Sequence, residues 1–312
     1  MGVATAINIT SLERIPTWFG VGGGASRYCE PASINELRAC LELDPDLLIL
    51  GDGANLIVAD EGVSRLVVSL KRIAFADWRD VERGVGGVHV GAGHDLAKLI
   101  NESVRRGLGG LEVLGGIPAS VGGAIKMNAG GKFGSIADRV IRVHTISRDG
   151  RETTLERADI PFDYRTSGLY GRIITSVELW LSPADPAELR TRLKDVMAYK
   201  RDSQPLKDSS AGCCFKNPTL AHDVEGIGRA GDRVSAGMVI DRAGLKGLRI
   251  ESASVSDVHG NFLTADKGGK ADDVIHLIET VRQRVRERFN IELENEVVVW
   301  SDASPAHKAA NT

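Results

Sequence analysis

A glycine-rich stretch at residues 115–131 constrains the fold of this 312-residue chain more than any other segment. Six of its seventeen residues are glycine, and no carboxylate interrupts it. Glycine loses the most backbone entropy on folding and adds no side chain to packing, so the stretch predicts neither a stable helix nor a strand. It offers close backbone approach and free N–H groups, which suit a flat or phosphate-bearing ligand. A tight structural crossover is the alternative.

A second glycine loop lies between two short apolar runs. Residues 47–50 are typical of a buried strand, residues 51–55 form the loop, and residues 56–58 are apolar again. This order is strand–loop–strand, whereas a dinucleotide-binding Rossmann unit requires strand–loop–helix. No Gly-Lys-Ser/Thr follows any glycine run, which excludes a Walker A loop.

Charge and hydropathy exclude two classes of function. The formal net charge is −3, whereas a nucleic-acid-binding chain would carry a strong basic excess. No apolar run approaches the roughly 18 residues of a membrane span, and residues 1–6 lack the features of a signal peptide. We therefore expect a cytoplasmic protein that binds neither nucleic acid nor membranes.

The four cysteines indicate a reducing compartment and no metal site. Cys29, Cys40, Cys213 and Cys214 form no Cys-x-x-Cys pair, and no His/Cys cluster has zinc spacing. A disulfide between the adjacent Cys213 and Cys214 would be strained, so free thiols are the expectation.

Capping residues and apolar runs predict the domain organisation. Helices are expected after Ser33, after Asp95, after Asp185 and over residues 271–289, with short strands at residues 17–19 and 296–300. The predicted segments are a loose leader (1–15), two α+β subdomains (16–75 and 76–184), a C-terminal α+β domain (185–301) and a disordered tail (302–312).

Three segments resemble the flavin-binding motifs of the UDP-N-acetylenolpyruvoylglucosamine reductase family, which has the vanillyl-alcohol-oxidase-like FAD fold. They are residues 51–58, 116–124 and 127–130. The resemblance continues in the right order at residues 164–165, 204–205, 210–218, 235–237, 243–247, 259–262 and 293–297. A single motif of this kind is weak evidence, but an ordered series over about residues 15–300 is strong.

The resemblance implies an α+β, vanillyl-alcohol-oxidase-like (PCMH-type) fold with two FAD-binding subdomains and a C-terminal substrate-binding domain. In the implied reaction, NADPH reduces FAD, and hydride then passes to the enolpyruvyl group of a UDP-sugar, giving UDP-N-acetylmuramate for peptidoglycan synthesis. No histidine lies in a recognisable flavin-attachment context, so FAD is expected to be non-covalent. The oligomeric state stays open, with a monomer favoured.

The motifs imply a set of FAD contacts by resemblance. These are Gly51, Gly53, Ala54, Asn55 and Leu56 in the first loop and Gly116, Ile117, Ser120, Gly122, Gly123, Asn128 and Gly130 in the second.

The same resemblance assigns three catalytic residues. Arg165 and Glu296 occupy the positions that polarise the substrate carboxylate and stabilise the enolate formed by hydride addition. Cys213 occupies the position of the proton donor, where the family usually has serine. A thiol is a far stronger acid than an alkanol, and nearby cations could lower its pKa further. Taken alone, a cysteine here would more often be a small buried apolar residue.

Substrate contacts are expected from Tyr164, Lys216, Asn217 and Gln204. The diphosphate needs cations, and Lys200, Arg201 and Lys207 precede Lys216 in a locally basic stretch. His259 is expected to be structural. The chain has no room before Asp185 for the tyrosine-bearing capping loop of some family members, so it resembles the shorter subtype.

Two other functions fit parts of the pattern. One is a different FAD oxidase or dehydrogenase of the same fold, against which Cys213 and Glu296 argue. The other is a nucleotide-binding relative that has lost its chemistry, against which Arg165 and Glu296 argue.

Overall fold

The computed structural model describes residues 6–81, 86–205 and 209–302. The predicted disordered tail from residue 303 onward, and Lys207, lie outside the described residues. The α-helices of the described part are α1 (Ile34–Leu43), α2 (Leu96–Arg105), α3 (Val121–Lys126), α4 (Pro186–Ser203), α5 (Ala236–Arg242) and α6 (Ala271–Phe289). Its strands are β1 (Thr10–Leu12), β2 (Ala25–Cys29), β3 (Leu48–Leu50), β4 (Leu56–Val58), β5 (Val63–Ser69), β6 (Trp78–Asp80), β7 (Gly87–Gly91), β8 (Leu108–Gly109), β9 (Gly130–Gly131), β10 (Gly134–Ser135), β11 (Val140–Ser147), β12 (Glu152–Glu156), β13 (Arg172–Trp180), β14 (Ser182–Pro183), β15 (Arg249–Ile250), β16 (Ala253–Val255), β17 (Leu263–Ala265) and β18 (Val298–Trp300).

Serine and aspartate caps begin the helices that the sequence predicts. The side chains of Ser33, Asp95 and Asp185 each accept a hydrogen bond from a backbone N–H in the first turn of α1, α2 and α4. Helix α6 buries one apolar face, as its periodicity predicts. None of the helices in the described part of the chain is long and apolar enough to cross a membrane.

Two larger sheets form the first half of the molecule. The four-stranded sheet has the order β1-β2-β5-β3, with β5 parallel to both β2 and β3. The five-stranded sheet is antiparallel, with the order β12-β11-β13-β7-β6. Side chains of both sheets share one hydrophobic core with α2 and α3. The second glycine loop therefore connects elements that are packed in this core.

The C-terminal part has its own core and then returns to the first half. Strands β15, β16 and β17 form an antiparallel sheet that packs on α6, and α5 completes the cluster. The last strand, β18, pairs in parallel with β4, placing Val298 opposite Leu56. This pairing carries the segment that includes Glu296 to the first glycine loop.

The structure corrects several predictions of secondary structure. Residues 17–19 form a turn and not a strand, because the backbone there wraps over Gly53, whose carbonyl accepts from Trp18 N. The predicted loose leader contributes β1 and Ile15, which is fully buried. The predicted last strand begins at Val298 and not at residue 296. The glycine-rich stretch contains helix α3, contrary to the expectation from its composition.

Candidate active site

A cavity of about 1620 Å³ lies between the two glycine loops and the C-terminal part. Small-molecule pockets commonly measure about 300–1,000 Å³, so this cavity has room for more than one ligand. It is lined by eleven of the twelve predicted FAD contacts: Gly51, Gly53, Ala54, Asn55, Leu56, Gly116, Ile117, Ser120, Gly122, Gly123 and Gly130. The structure thus brings both predicted loops to one surface.

The first loop turns sharply at Gly53 and presents backbone donors. Gly53 has φ +67°, and a Cβ added there would lie 2.0 Å from the Pro16 carbonyl oxygen. Among the described residues, the N–H groups of Asp52, Gly53 and Ala54 meet no protein acceptor. Consecutive free N–H groups at such a turn form a concave site for an anion.

The second loop is held by long-range backbone bonds that allow a helix despite its glycines. Ser120 Oγ caps α3 by accepting from Gly123 N at 3.2 Å. The N–H groups of Val121 and Gly122 donate to the carbonyls of His94 and Ala92. These tertiary bonds offset the low helix propensity of the segment.

Both loops pack closely at positions where only a small residue fits. A Cβ on Gly51 would lie 2.7 Å from Ser120 Oγ in the second loop, and one on Gly122 would lie 2.8 Å from the Cβ of Ala92, which follows β7. The glycines therefore serve close packing between loops as well as backbone access from the cavity.

Asn128 lies outside the cavity lining, unlike the other predicted FAD contacts. Its backbone has φ 42°, in the left-handed region. Its Nδ2 donates to the Asp163 carbonyl at 2.9 Å, and its Oδ1 accepts from Ala137 N at 3.4 Å. Asn128 thus ties the second loop to the turn that carries Arg165.

Arg165 projects into the cavity from a tight turn. Asp163 and Thr166 exchange backbone hydrogen bonds around it, and Arg165 has φ 58°. Its Nη1 donates to the Gly130 carbonyl at 2.9 Å. Its Nε lies 2.5 Å from Glu296 Oε1, an ion pair whose side chains are 21% and 13% exposed. Since the N–H makes no aligned hydrogen bond there, charge attraction holds the pair.

Glu296 is fixed by its backbone. Its N–H donates to the Cys214 carbonyl at 2.8 Å, and its carbonyl accepts from Asn55 Nδ2 at 2.8 Å. Burial raises the pKa of the Glu296 carboxyl, and Arg165 opposes the rise. Asn55, predicted as an FAD contact, therefore links the first glycine loop to the acid across 241 residues of sequence.

Cys213 lines the same cavity as Arg165 and Glu296, but its acidity differs from the expectation. Burial, followed by the nearby Glu296 carboxylate, raises the pKa of the Cys213 thiol to about 12. Arg165 lowers that pKa, although by less. The sequence allowed for a thiol acidified by neighbouring cations, and this was wrong because burial disfavours the thiolate more strongly. The thiol stays protonated at neutral pH. Cys214 is fully buried in the core.

Asn261 is a positioning residue to which the sequence assigned no role. It is 2% exposed. Its Oδ1 accepts from Phe215 N at 2.9 Å, and its Nδ2 donates to the Phe215 carbonyl at 2.8 Å. Its own carbonyl accepts from Cys214 N. His259 Nδ1 in turn accepts from Asn261 N at 3.2 Å, in keeping with a structural role for His259. The sequence held one signal for this role, because Asn261 lies beside His259 in the matching segment 259–262.

The predicted substrate contacts are divided between the cavity and its rim. Lys216 and Gln204 line the cavity, and Lys216 Nζ forms an ion pair with Glu294 Oε2 at 3.2 Å. The Tyr164 hydroxyl accepts from Asn217 N at 3.2 Å. Asn217 Oδ1 accepts from Ala236 N at the start of α5. Tyr164 and Asn217 therefore join two parts of the chain beside the cavity.

Tyr199 and Lys200 at the end of α4 form an aromatic and cationic edge of the cavity together with Lys132 and Phe133. The sequence analysis did not predict this edge. Tyr199 packs edge-to-face on Phe133, with ring centres 5.5 Å apart, and Lys132 Nζ lies 4.9 Å from the Tyr199 ring centre. Lys200 also lines the cavity. Burial and the charge of Arg165 lower the pKa of Lys200 to about 8.

Comparisons with known proteins agree with this geometry. Residues 204–300 match the family described as "UDP-N-acetylenolpyruvoylglucosamine reductase, C-terminal domain", and residues 25–156 match an "FAD binding domain". The chain is 37% identical over 296 residues to a UDP-N-acetylenolpyruvoylglucosamine reductase of Desulfosudis oleivorans, covering 91% of each chain. It is 37% identical over 297 residues to that of Moorella thermoacetica, covering 93% of this chain and 92% of the relative.

A solved structure shows the same similarity in three dimensions. The UDP-N-acetylenolpyruvylglucosamine reductase of Thermus caldophilus superimposes with a TM-score of 0.79 at 38% identity, covering 95% of this chain and all of that one. The predicted α+β flavoprotein fold is thereby confirmed.

Proposed function

Because the chain belongs to the UDP-N-acetylenolpyruvoylglucosamine reductase family, we propose that it reduces UDP-N-acetylenolpyruvoylglucosamine to UDP-N-acetylmuramate. FAD is the cofactor and NADPH the electron donor in this proposal. The observation that carries it is the convergence of Arg165, Glu296 and Cys213 on the cavity that both glycine loops line. The reaction belongs to peptidoglycan precursor synthesis, and we place it in the cytoplasm.

The residues around the cavity fit FAD. The free N–H groups of Asp52, Gly53 and Ala54 suit its diphosphate. The cavity is lined by backbone alone at Gly51, Gly122 and Gly123, which suits the close approach of a flat ring system. When bound, FAD would supply the hydride that the reduction requires. The chain's own residues then have to bind the substrate, stabilise charge and deliver a proton.

Arg165 is proposed to stabilise the negative charge that develops on the substrate. Hydride addition to the vinyl methylene carbon leaves an enolate on the neighbouring carbon and its carboxylate. A guanidinium that is only 21% exposed stabilises such charge more strongly than one in bulk solvent. Its hydrogen bond to Gly130 and its ion pair with Glu296 hold it in place before the substrate binds. Glu296 thus acts through Arg165 as its positioning partner.

Cys213 is proposed to protonate the enolate carbon. The thiol is protonated at neutral pH because burial raises its pKa to about 12, so every molecule carries the proton to be donated. Donation leaves a thiolate, and the charge of Arg165 stabilises it. The bond from sulfur to hydrogen breaks, the bond from carbon to hydrogen forms, and solvent later restores the thiol.

The UDP part of the substrate is proposed to lie between the C-terminal part and the end of α4. Lys216 and Lys200 supply positive charge inside the cavity for its diphosphate. Gln204 offers an amide to the sugar or uracil, and Tyr164 with Asn217 shapes the adjoining wall. Tyr199 and Phe133 stand at the rim, where they could cover a bound ligand in the absence of a longer capping loop.

The proposal is tested by two anaerobic additions to the purified yellow protein. NADPH should bleach the flavin absorbance, and UDP-N-acetylenolpyruvoylglucosamine should then restore it with formation of UDP-N-acetylmuramate. Bleaching that the substrate does not reverse would refute the proposed substrate and favour a different FAD oxidoreductase. A colourless protein that cannot be loaded with FAD would refute the cofactor.

A further inference from the structure

The outer face of the five-stranded sheet carries charged side chains that the proposed reaction does not use. The register places His89 on β7 opposite Glu178 on β13, and Glu178 opposite Arg142 on β11. Arg79 on β6 lies opposite His89 on the other side. Alternating residues such as Val90 and Val177 face the hydrophobic core instead. The charged row is therefore separated from the cavity by the sheet itself.

Three metal-ligating side chains meet on this face. His89, Glu178 and His144, which is two residues beyond Arg142 on β11, each place one ligand atom within 4.8 Å of the other two. The imidazole ring centres are 5.4 Å apart. His144 Nε2 lies 3.4 Å from Glu178 Oε1, and these side chains are 27% and 12% exposed.

The free ring nitrogen of His144 points into the cluster. Its Nδ1 lies 2.9 Å from Thr154 Oγ1 on β12. Its Nε2 is shielded from solvent and has no hydrogen-bond partner. When Nδ1 donates to Thr154, the lone pair is on Nε2, which is the tautomer a metal ion requires. A shielded nitrogen that makes no hydrogen bond is unfavourable, and a cation bound beside it would satisfy both Nε2 and the Glu178 oxygen 3.4 Å away.

The surrounding charges leave Glu178 and His89 available as ligands. Arg142 Nε lies 3.6 Å from Glu178 Oε2, which leaves Oε1 facing His144. Burial, followed by the charge of Arg79, lowers the pKa of His89, which favours the neutral form of its imidazole. The two arginines also repel a cation, which limits the affinity.

We propose that His89, His144 and Glu178 bind a divalent transition-metal ion of the zinc class. Two imidazoles and one carboxylate select zinc, cobalt or nickel over magnesium and calcium, which prefer oxygen ligands. In a tetrahedral site with bonds of about 2.0–2.1 Å the ligand atoms lie about 3.3 Å apart, so the cluster must contract slightly on binding. The ion would connect β7, β13 and β11 and leave a fourth position for water.

The proposal is independent of the reaction in the cavity. Because the ion would join three adjacent strands of the folded sheet, it should stabilise the native state. At a hundredfold excess over its Kd, this linkage corresponds to a rise in Tm of about 4 °C for a chain of this length. Turnover should change by less than twofold.

The test titrates Zn²⁺ into the FAD-loaded protein after dialysis against a chelator, with heat of binding and Tm as readouts. We expect one equivalent to bind, and H89Q and H144Q to lower the affinity at least about 100-fold. His276, an exposed histidine on α6, provides the matched control, and H276Q should bind like the parent chain. Sub-stoichiometric binding, or unchanged affinity in both H89Q and H144Q, would overturn the proposal.

Co²⁺ gives a readout that does not depend on the folding of any variant. Loaded into the parent protein, it should show the intense visible difference spectrum of a four-coordinate site with nitrogen ligands. The weak spectrum of six-coordinate aqueous Co²⁺ would overturn the proposal.

Discussion

The glycine loops and the Arg165–Glu296 pair border the same cavity, but they are built in opposite ways. The loops present backbone and owe their shape to missing side chains, as at Gly53, where a Cβ would lie 2.0 Å from the Pro16 carbonyl. The ion pair presents two charged side chains that are 21% and 13% exposed. The first region is defined by close packing, and the second by charges removed from water.

The difference predicts different responses to mutation. A cofactor site made of backbone should tolerate the loss of neighbouring charges but not an added methyl group at a strained glycine. A site made of partly buried charges should tolerate neither partner's removal, because the remaining charge is left without compensation. R165M and G53A each affect one region and should leave the other unchanged.

Apart from the loss of Cys213, the largest effect is expected for R165M, which removes the charge with little loss of volume. Turnover should fall by about 10²–10³, the range for the loss of one preorganised group that stabilises an oxyanion. FAD content, measured by absorbance, should not change. Arg157, an exposed arginine stacked on Phe162, provides the control, and R157M should retain turnover. Loss of FAD together with activity in R165M would break the proposed separation.

G53A should weaken FAD binding. The molecules that still carry FAD should turn over at the rate of the parent enzyme. The φ of +67° at Gly53 and the clash with Pro16 force the loop to move, so we expect FAD affinity to fall by about 100-fold. G131A is the matched variant, since Gly131 lines the cavity but its Cβ would meet nothing within 4 Å. Equal FAD dissociation constants in the two variants would contradict the packing argument.

N261A tests whether the segment that carries Cys213 is held by a buried amide. Both backbone groups of Phe215 lose their partner, at about 1–3 kcal/mol for each buried group left unsatisfied. Urea denaturation should show a loss of roughly 3 kcal/mol, with turnover reduced in the folded fraction. N101A removes an exposed asparagine from α2 and should stay within about 0.5 kcal/mol of the parent. Equal stabilities would refute the role of Asn261.

The smallest effect is a pH dependence from Lys200. Its pKa is lowered to about 8, so the charge that attracts an anionic substrate is present below pH 8 and is lost above it. KM for the UDP-sugar should rise by about tenfold between pH 7 and pH 9, as expected for one partly screened charge. K200M should abolish this dependence, whereas K194M, on the exposed side of the same helix, should retain it. A flat KM profile in the parent would contradict this role.

Local patterns in the sequence predict the fold well where the structure depends on them. Helices α1, α2 and α4 begin at predicted capping residues, and α6 follows its apolar period. Helix α3 could not be predicted, because its stability depends on bonds to His94 and Ala92 that are distant in sequence. The turn at residues 17–19 likewise depends on Gly53.

The sequence predicted which residues form the candidate site, but it did not predict how their surroundings change the pKa of Cys213. Motif resemblance selected Arg165, Cys213 and Glu296, and the structure brings all three to one cavity. The pKa of Cys213 is raised by its burial and by Glu296, which is far away in the sequence. The link from Asn55 to Glu296 follows from the pairing of β18 with β4, which no local pattern indicates.

The separation of flavin reduction from reduction of the substrate is tested most directly by the half-reactions of C213A, followed under anaerobic conditions by flavin absorbance and by product formation. NADPH should bleach the flavin at a rate within twofold of the parent. Reoxidation by UDP-N-acetylenolpyruvoylglucosamine, or release of protonated product, should slow by about 10²–10⁴, the range for loss of a general acid. C213S, which restores a hydroxyl donor, should recover much of this rate. A C213A protein that turns over normally, or one that loses both half-reactions equally, would contradict the account.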